Sequence, residues 1–552
     1  MRIACGNLQG NLLLKTCFQR CSFGPAECRS NPSVFQLLIF VGSRTQQTFY
    51  MFHAWWYAVS HMHIFPDFFA PVGSIWFILD WSIRIAALFI VPRNRKPTAG
   101  MAWLLLIFFF PALGALIFLI IGNPKLPKKR QQTQTTSDKI IARLLAEFRE
   151  KHDSNQLLSA KAPAKYQKLA ALSESLSGLP AFDGNSVEVL PGYDDAIKRI
   201  SRDIDTAEHY VHLEYFIIVL DETTRPLFES LADAVQRGVK VRVLYDSLST
   251  KRYPKWRDTL RYLRDSGVIA QPMLPLRLPG KGYVRPDLRN HRKLVVIDGG
   301  TGYVGSQNLV RRDYHRKDDI YYDELVVRMQ GPTILQLETV FLTDWYTETG
   351  DLLDYKDVNT KAIQTKKHGD VLAQVLPSGP GYTDENNLML FTDLIHTAEK
   401  EITIVNPYFV PDDALSNAII SAAKRGVKVT MVNSEAIDQW MVGHAQRSFY
   451  EALLKNDVSI YLYRAPVLLH SKFMIVDKDL AVVGSSNLDI RSFVLDLEVT
   501  LVLYSKDTAN ALHSVTNKCL KKSRQILLSD WQKRPQRKKL LDNIARLTSA
   551  LQ

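Results

Sequence analysis

Two long apolar stretches stand near the N-terminal end of the chain. Residues 71–91 and 101–122 are apolar over roughly the 20 residues that a helix needs to cross a bilayer. The second stretch has no charged residue, and its Pro111 is tolerable in a membrane helix. The first carries Asp80 and Arg84, whose i, i+4 spacing favours an ion pair within the helix. The pattern predicts a transmembrane hairpin.

Further along the chain, short apolar runs alternate with helical stretches. The segments PLFESLADAVQRG (226–238) and ALSNAIISAAKRG (414–426) have helical periodicity, stop at a glycine and are followed by an apolar strand. The runs LVVID (294–298) and FMIVD (473–477) have the length and composition of central strands. This alternation is typical of α/β units whose parallel strands are buried on both faces.

The second half of this region repeats the first. DTAEHYVHLEYF (205–216) aligns, with a short gap, with HTAEKEITIVNPYF (396–409). QRGVKVRVLYDS (236–247) aligns with KRGVKVTMVNSE (424–435), in the same order. The sequence therefore predicts two copies of one α/β domain.

The predicted organisation has six parts. Residues 1–50 lack the pattern of a signal peptide, and we expect residues 1–65 to be a disordered extension or a misassigned start, with Met51 or Met62 as the true one. The other five parts are the hairpin at 66–122, a polar connector at 123–185, the two α/β domains at 186–350 and 371–530, and a basic amphipathic tail at 531–552. The tail is expected either to lie on an anionic bilayer surface or to pack on the body.

The composition of the chain indicates an anionic partner but does not identify which kind. A chain of 552 residues exceeds what one hydrophobic core usually supports. Its formal net charge of +13 indicates an anionic partner, and lipid, nucleic acid and a phosphorylated substrate fit equally. The cysteines are concentrated in the first 28 residues, so the body is not a disulfide scaffold, and their spacing argues against a zinc site.

The strongest indication of chemical function is a motif that occurs twice in the sequence. Each copy has a histidine, a lysine two residues on, an aspartate five further, and then a serine and an asparagine at matching offsets. The first copy is His291, Lys293, Asp298, Ser306 and Asn308, and the second is His470, Lys472, Asp477, Ser485 and Asn487. Histidine and lysine share one face of a strand because side chains repeat every two residues. Because both copies are intact, we favour one catalytic site built from both halves. The alternative is a duplicated fold whose motif residues have no catalytic role.

These residue types suit the cleavage of a phosphodiester. Such an ester needs positive charge on its nonbridging oxygens, a nucleophile, and an acid for the leaving alkoxide. Lys293, Lys472, Asn308 and Asn487 can supply the charge and the hydrogen bonds, so no metal is required. Imidazole suits both other roles, since it titrates near neutral pH and can form a phosphoramidate.

The doubled H-x-K-x4-D, followed by G-S-x-N, resembles the phospholipase D superfamily over about residues 185–530. The resemblance implies two halves around a pseudo-twofold axis, with both motifs in one cleft. It implies that His291 is the nucleophile and His470 the general acid and then base, although the near symmetry leaves the reverse open. Glu324 and Glu498 resemble the carboxylates that orient the histidines in this family.

The resemblance leaves the remaining motif residues with two readings each. Asp298 and Asp477 belong to the catalytic motif, but we expect them to hold structure rather than to touch substrate. Ser306 and Ser485 are candidate phosphate-binding hydroxyls or small packing residues.

Within the superfamily, the hairpin and the stretches VNPYFVPDDAL, SGPGYTDEN and LDIRSFVLDLEV resemble the bacterial cardiolipin synthases. The resemblance implies transfer of a phosphatidyl group from one phosphatidylglycerol to another, without a cofactor. It also implies anionic membrane lipid rather than nucleic acid as the partner, and an inner-membrane protein whose catalytic region we expect to be cytoplasmic. The alternatives are a phospholipase D-type hydrolase, a transferase with another donor or alcohol, and an inactive lipid-binding protein.

Overall fold

The structure of the chain is a computed structural model. It describes residues 70–549 apart from residues 94, 124, 129, 135, 137–160, 277–282, 316–318 and 354–366. The predicted N-terminal extension, much of the connector and the end of the tail lie outside the described residues. The chain divides into two compact units, Met1–Ile90 and Val91–Gln552.

The described part of the first unit is one helix, α1 (Ala70–Ile90). Arg84 Nη1 lies 2.7 Å from Asp80 Oδ2, which confirms the ion pair that the spacing predicted. Such a pair partly offsets the cost of placing two charges among apolar residues.

The second unit begins with two helices where the sequence predicted one span over residues 101–122. These are α2 (Pro97–Phe109) and α3 (Pro111–Ile121). The helix is divided at Phe110 because Pro111 has no amide hydrogen and its ring clashes with the preceding turn, which ends α2 at Phe109. Within the described residues, no helix is both long and apolar enough to cross a membrane.

The catalytic body follows these helices within the second unit. Its strands are β1 (Phe182–Leu190), β2 (Tyr210–Tyr215), β3 (Lys240–Asp246), β4 (Ile269–Met273), β5 (Arg289–Asn290), β6 (Lys293–Ile297), β7 (Thr301–Gly305), β8 (Tyr321–Asp323), β9 (Val326–Gln330), β10 (Val371–Ser378), β11 (Glu401–Val405), β12 (Phe409–Val410), β13 (Lys428–Ser434), β14 (Ser459–Tyr463), β15 (Val467–Leu469), β16 (Phe473–Val476), β17 (Leu480–Gly484), β18 (Leu488–Asp489), β19 (Asp496–Tyr504) and β20 (Ser523–Ile526). Its helices are α4 (Gln167–Ser177), α5 (Tyr193–Asp205), α6 (Arg225–Gln236), α7 (Ser247–Lys251), α8 (Trp256–Asp265), α9 (Ile334–Thr349), α10 (Asn386–Thr397), α11 (Asp413–Lys424), α12 (Trp440–Leu454), α13 (Ile490–Val494), α14 (Lys506–Lys521), α15 (Leu528–Gln532) and α16 (Gln536–Arg546).

Both halves of the body share one sixteen-stranded sheet. The strand order is β20-β14-β13-β11-β16-β17-β19-β10-β1-β9-β7-β6-β2-β3-β4, with β5 paired to β19. Reading outward from the central antiparallel pair of β1 and β10, each half repeats the same order and the same directions. The predicted duplication is therefore visible in the strand order.

The prediction of parallel strands is only partly right. Neighbours are parallel in β2-β3-β4 and in β11-β13-β14, whereas the motif strands β6 and β16 are antiparallel to the strands on both sides. The reason is a tight turn after each motif strand. Asp298 and Asp477 both have φ of 49°, a left-handed conformation that aspartate tolerates, and the chain turns back at once as β7 or β17.

The motif strands are buried on both faces, as predicted. One core cluster contains Leu294 and Val296 of the first half together with Phe473 and Ile475 of the second. Because this core crosses the boundary between the halves, the two motifs are held by one continuous packed layer.

Candidate active site

Each motif histidine is paired with a glutamate from the other half of the body. His291 Nδ1 lies 2.8 Å from Glu498 Oε1, and His470 Nδ1 lies 2.7 Å from Glu324 Oε1. All four side chains are buried. The structure therefore brings the two motif copies together, and the prediction that these glutamates accompany the histidines agrees with their positions.

The pairing of each histidine with the glutamate of the other half arises from two pairs of strands. β5 precedes His291 and runs parallel to the start of β19, so the His291 amide donates to the Leu497 carbonyl at 2.8 Å. In the same way β15 precedes His470 and runs parallel to β8, and the His470 amide donates to the Asp323 carbonyl at 2.7 Å. Backbone pairing thus fixes each glutamate beside the histidine of the other half.

The motif lysines lie behind the histidines. Lys293 Nζ donates to the His291 carbonyl at 2.5 Å, and Lys472 Nζ donates to the His470 carbonyl at 2.7 Å. Burial is the main cause that lowers the pKa of Lys293 to about 7 and that of Lys472 to about 8. A lysine buried in a dry site gives up its proton more easily than one in water. An anionic ligand bound beside the two lysines would favour their protonated, positively charged form.

Burial also sets the protonation of the two pairs. It raises the pKa of Glu324 and of Glu498 to about 7, although the nearby lysine charges oppose this. It lowers the pKa of both His291 and His470 well below the usual range, and the lysines add to that shift. Each pair therefore exchanges a proton near neutral pH.

The motif asparagines face the same site from the two halves. Asn308 Oδ1 and Asn487 Oδ1 are buried and have no hydrogen-bond partner among the described residues. Asn308 Nδ2 donates to the Tyr314 hydroxyl at 3.3 Å. An unsatisfied buried amide oxygen is costly, and because it accepts hydrogen bonds its natural partner is a donor such as a substrate hydroxyl, which leaves the amide nitrogens to face phosphate oxygens.

The motif serines are engaged by the protein instead. The Leu325 amide donates to Ser306 Oγ and the Val499 amide to Ser485 Oγ, each at 3.0 Å. Ser485 Oγ also donates to Glu498. Of the two readings, these contacts favour hydroxyls that hold the glutamate-bearing strands over hydroxyls that bind phosphate.

The motif aspartates hold structure, as expected, rather than join the catalytic group. Asp298 accepts from the backbone amides of residues 208–210, each at 2.8 Å. Asp477 accepts from those of residues 399–401 at 2.7 to 2.9 Å, and also from Lys165. Each carboxylate ties the end of its motif strand to the start of the neighbouring strand.

Comparison with known proteins places this geometry in a family. The chain matches the family described as "Cardiolipin synthase, PLD-like domain" over residues 200–345 and 391–520. It is 31% identical to cardiolipin synthase A of Wigglesworthia glossinidia brevipalpis over 474 residues, which is 85% of this chain and 94% of that protein. The chain belongs to the cardiolipin synthase family of phospholipase D-like proteins.

Other relatives agree with this assignment. The cardiolipin synthase of Alkalihalophilus pseudofirmus is 32% identical over 483 residues, covering 87% of this chain and 94% of that protein. Residues 74–123 match the "Phospholipase_D-nuclease N-terminal" family, which is consistent with membrane association. The crystal structure of phosphatidylserine synthase from Haemophilus influenzae Rd KW20 shares the fold, with a TM-score of 0.54 and 16% identity over 70% of this chain and all of that one.

The two sides of this cardiolipin synthase site are unequal in charge. His470 packs edge-on against Tyr322 at 5.4 Å, and the hydroxyls of Tyr322 and Tyr408 both donate to Asp438. His291 packs instead against Phe216 at 4.8 Å. Burial and the lysines lower the pKa of His470, and the Asp438 carboxylate opposes that shift. Asp438 lies in an ordinary loop sequence, so no signal in the sequence indicated it.

The charge of an arginine acts on His291, whereas that of a carboxylate acts on His470. Arg491, paired with Asp496 at 3.1 Å, contributes to lowering the pKa of His291 after burial and the lysines. Arg292, inside the first motif, is buried and its Nε donates to the Glu498 carbonyl at 3.0 Å. The sequence could have indicated a special role for Arg292, because the first motif reads HRK where the second reads HSK.

Replacing either motif aspartate by asparagine is expected to lower stability while leaving the activity per folded molecule unchanged. Hydrogen bonds from backbone amides to a carboxylate contribute about 1.5 to 3 kcal/mol each, so we expect a loss of about 2 to 3 kcal/mol in Asp477→Asn. Burial opposes ionisation of Asp477, but bonds from Lys165 and the amides outweigh it and hold the pKa low. The wild type therefore loses this stability as pH falls through the depressed pKa, whereas the variant lacks that acid-dependent loss. Thermal unfolding followed over a pH series measures it, and a variant that unfolds normally but is inactive would contradict the structural role.

Proposed function

We propose that this chain synthesises cardiolipin by transferring a phosphatidyl group from one phosphatidylglycerol to another through a phosphohistidine. The observation that supports it best is the pair of histidine–glutamate contacts made across the two halves, with both motif lysines buried behind them. A nucleophile, an acid and positive charge thereby converge on one phosphodiester-sized site.

In the first step His291 Nε2 attacks the phosphorus of the donor lipid. Glu498 accepts the Nδ1 proton and keeps the lone pair on Nε2. A nitrogen–phosphorus bond forms, the bond from phosphorus to the glycerol oxygen breaks, and that oxygen takes a proton from His470 Nε2. Burial and the lysines lower the pKa of His470, but the Asp438 carboxylate opposes this, and that supports His470 rather than His291 as the acid.

In the second step the hydroxyl of another phosphatidylglycerol attacks the phosphohistidine. His470 accepts the proton of that hydroxyl, the nitrogen–phosphorus bond breaks, and His291 is regenerated. Lys293, Lys472 and the two asparagine amides hold the nonbridging oxygens in both steps. The burial of both histidines disfavours water as the competing acceptor.

The setting of this reaction is the bacterial cell membrane. The apolar stretches 71–91 and 101–122 anchor the chain in that membrane, and the catalytic region faces the cytoplasm, where the basic residues beyond α3 meet anionic lipid. Membrane lipid, and not nucleic acid, accounts for the positive charge of the chain.

Purified full-length protein given labelled phosphatidylglycerol, without divalent metal, tests the reaction. Cardiolipin and free glycerol are the expected products, and a His470→Ala control should form neither. Phosphatidic acid alone would identify a hydrolase, and product only with another added lipid would identify a different donor or acceptor.

The rate of transfer is expected to depend on pH as a bell centred near 7. The reaction needs Glu498 ionised to accept from His291 and the His470–Glu324 pair protonated to supply the acid. Burial raises the pKa of each glutamate to about 7. At low pH Glu498 is protonated and can no longer accept from His291, so the rate falls. At high pH the His470–Glu324 pair loses the proton that the leaving group needs, so the rate falls again. The two limbs of the profile therefore give the apparent pKa values of the two coupled pairs.

Measuring kcat/KM against pH for the wild type and two variants checks this. Glu498→Gln should be slow and lose the acidic limb, whereas Glu324→Gln should be slow and lose the basic limb. A rate that stays flat between about pH 5.5 and 8.5 would contradict the assignment.

A further inference from the structure

The last helix of the chain, α16, is attached to the body by its polar face. Asp542 is buried and its Oδ1 lies 2.6 Å from His444 Nδ1, while Arg447 and Arg534 also contact its carboxylate. Ala545, one turn on, is buried as well. This ionic cluster fixes the side of α16 that faces α12.

Three large apolar residues of α16 and its C-terminal end point the other way, whereas Leu541 is half-buried. Leu540 is 62% exposed, Ile544 51% and Leu547, at the helix end, 84%. Their spacing of four and then three residues places them in one stripe along the helix. An amphipathic helix at the surface of a globular protein normally buries such a stripe, so the arrangement here is inverted.

Two further large apolar side chains are exposed at the start of α12, the helix on which α16 packs. Trp440 is 60% exposed and Met441 40%, and the Trp440 ring lies 4.5 Å from the ring of His444, which contacts Asp542. We call Trp440, Met441, Leu540, Ile544 and Leu547 the C-terminal apolar surface. Clustered large apolar side chains left in water mark an interaction site.

The charges around this surface favour an anionic partner. Arg537, Lys538 and Arg546 of α16 are exposed, whereas Asp542, the one acidic residue of that helix, is buried in its ion pairs. Exposed basic residues beside an apolar stripe are typical of helices that lie in the interface of an anionic bilayer. A second copy of the chain would bring the same positive charge and be repelled.

One end of the C-terminal apolar surface lies close in the chain to residues that surround His470. Trp440 follows Asp438 by two residues, and Asp438 accepts from the tyrosines Tyr322 and Tyr408 that surround His470. We propose that this surface docks the catalytic body on an anionic phospholipid bilayer and so presents lipid headgroups to the His470 side of the site. The inference rests on the proposed function in taking the docked lipid to be the substrate.

A triple variant with Leu540, Ile544 and Leu547 changed to glutamine tests the kinetic consequence. The full chain is reconstituted in phosphatidylcholine vesicles that contain increasing mole fractions of phosphatidylglycerol. The variant should raise the apparent KM, expressed as mole fraction, at least about fivefold and leave kcat within about twofold. Transfer from short-chain phosphatidylglycerol dispersed as monomers should be unchanged, because a soluble substrate does not need the docked state.

A matched control changes exposed apolar residues elsewhere on the body, Ile269→Gln with Leu352→Gln. This control should behave as wild type with both substrates. Equal losses in the control and the triple variant, or a loss with the monomeric substrate, would overturn the docking role.

A fluorescent probe tests contact with lipid independently of catalysis. An environment-sensitive dye is attached at Leu547→Cys in a chain whose five native cysteines are replaced by alanine. Its emission should shift to the blue in vesicles containing phosphatidylglycerol and remain unshifted in phosphatidylcholine alone, and Arg537→Glu with Lys538→Glu should abolish the shift. No shift, or a shift that depends on protein density rather than on anionic lipid and so indicates a second copy, would overturn the proposal. If wild type makes no cardiolipin even from monomeric substrate, the proposed function fails, while the dye result still decides the surface.

Discussion

Replacement of His291 by alanine is expected to abolish cardiolipin synthesis and the covalent intermediate together. The nitrogen that attacks phosphorus is removed, and the Ser485 hydroxyl, which also contacts Glu498, is held by the Val499 amide. We expect the rate to fall by at least about 10⁴-fold. The measurement is product formation, together with trapping of labelled lipid on the denatured protein as an acid-labile adduct.

His470→Ala is the matched variant because it occupies the same position in the second half. A phosphatidyl ester with a nitrophenol leaving group separates the two roles, since that leaving group departs without a proton. His470→Ala should still release a burst of nitrophenol and accumulate the intermediate, and His291→Ala should do neither. A burst retained in His291→Ala and lost in His470→Ala would reverse the roles while leaving the transferase reaction intact.

The sequence predicted those parts of the site that are local in the chain. The spacing of His291 and Lys293 and the repeat at His470 and Lys472 depend only on strand periodicity, and both histidines occupy the buried positions that it implies. The same holds for the Asp80–Arg84 pair, which is set by one helical turn.

Contacts between segments that are distant in the chain could not be predicted from the periodicity of the sequence. The pairing of His291 with Glu498 spans 207 residues and depends on β5 lying against β19. Two halves with the same motif offer each histidine a glutamate within its own half, and periodicity does not distinguish the two partners. The antiparallel placement of β6 likewise follows from the left-handed turn at Asp298, which an apolar run alone does not reveal.

Asymmetry between the halves was the harder part to predict, and Arg292 shows why. The motif H-x-K leaves its middle position open, with arginine in the first copy and serine in the second. Arg292 is 1% exposed, its guanidinium bonds Asp344, and Glu214 Oε1 lies 4.0 Å from its Nη1. Burial and the Asp344 carboxylate raise the pKa of Glu214 well above its usual value. The first half thus contains a buried ionic cluster beneath the nucleophile.

Removal of Arg292 is expected to give the largest loss of stability of any single change in the body. Arg292→Met leaves Asp344 buried without its cation, and breaking one partner of a buried ion pair costs about 3 to 5 kcal/mol. We expect the unfolding midpoint of the full chain in detergent to fall by about 5 to 10 °C. Ser471→Met, at the same position of the second motif, is the matched control and should shift it far less.

The double variant Arg292→Met with Asp344→Leu separates lost charge compensation from lost packing. Replacing both partners by apolar side chains leaves no orphaned charge, and such exchanges are often close to neutral. The double variant should therefore recover most of the midpoint. Because Arg292 Nε also donates to the Glu498 carbonyl, the recovered protein should still be slower in transfer and have an altered acidic limb of its pH profile. A double variant as unstable as the single one would show that Arg292 acts through packing, and an unchanged pH profile would show that it does not position Glu498.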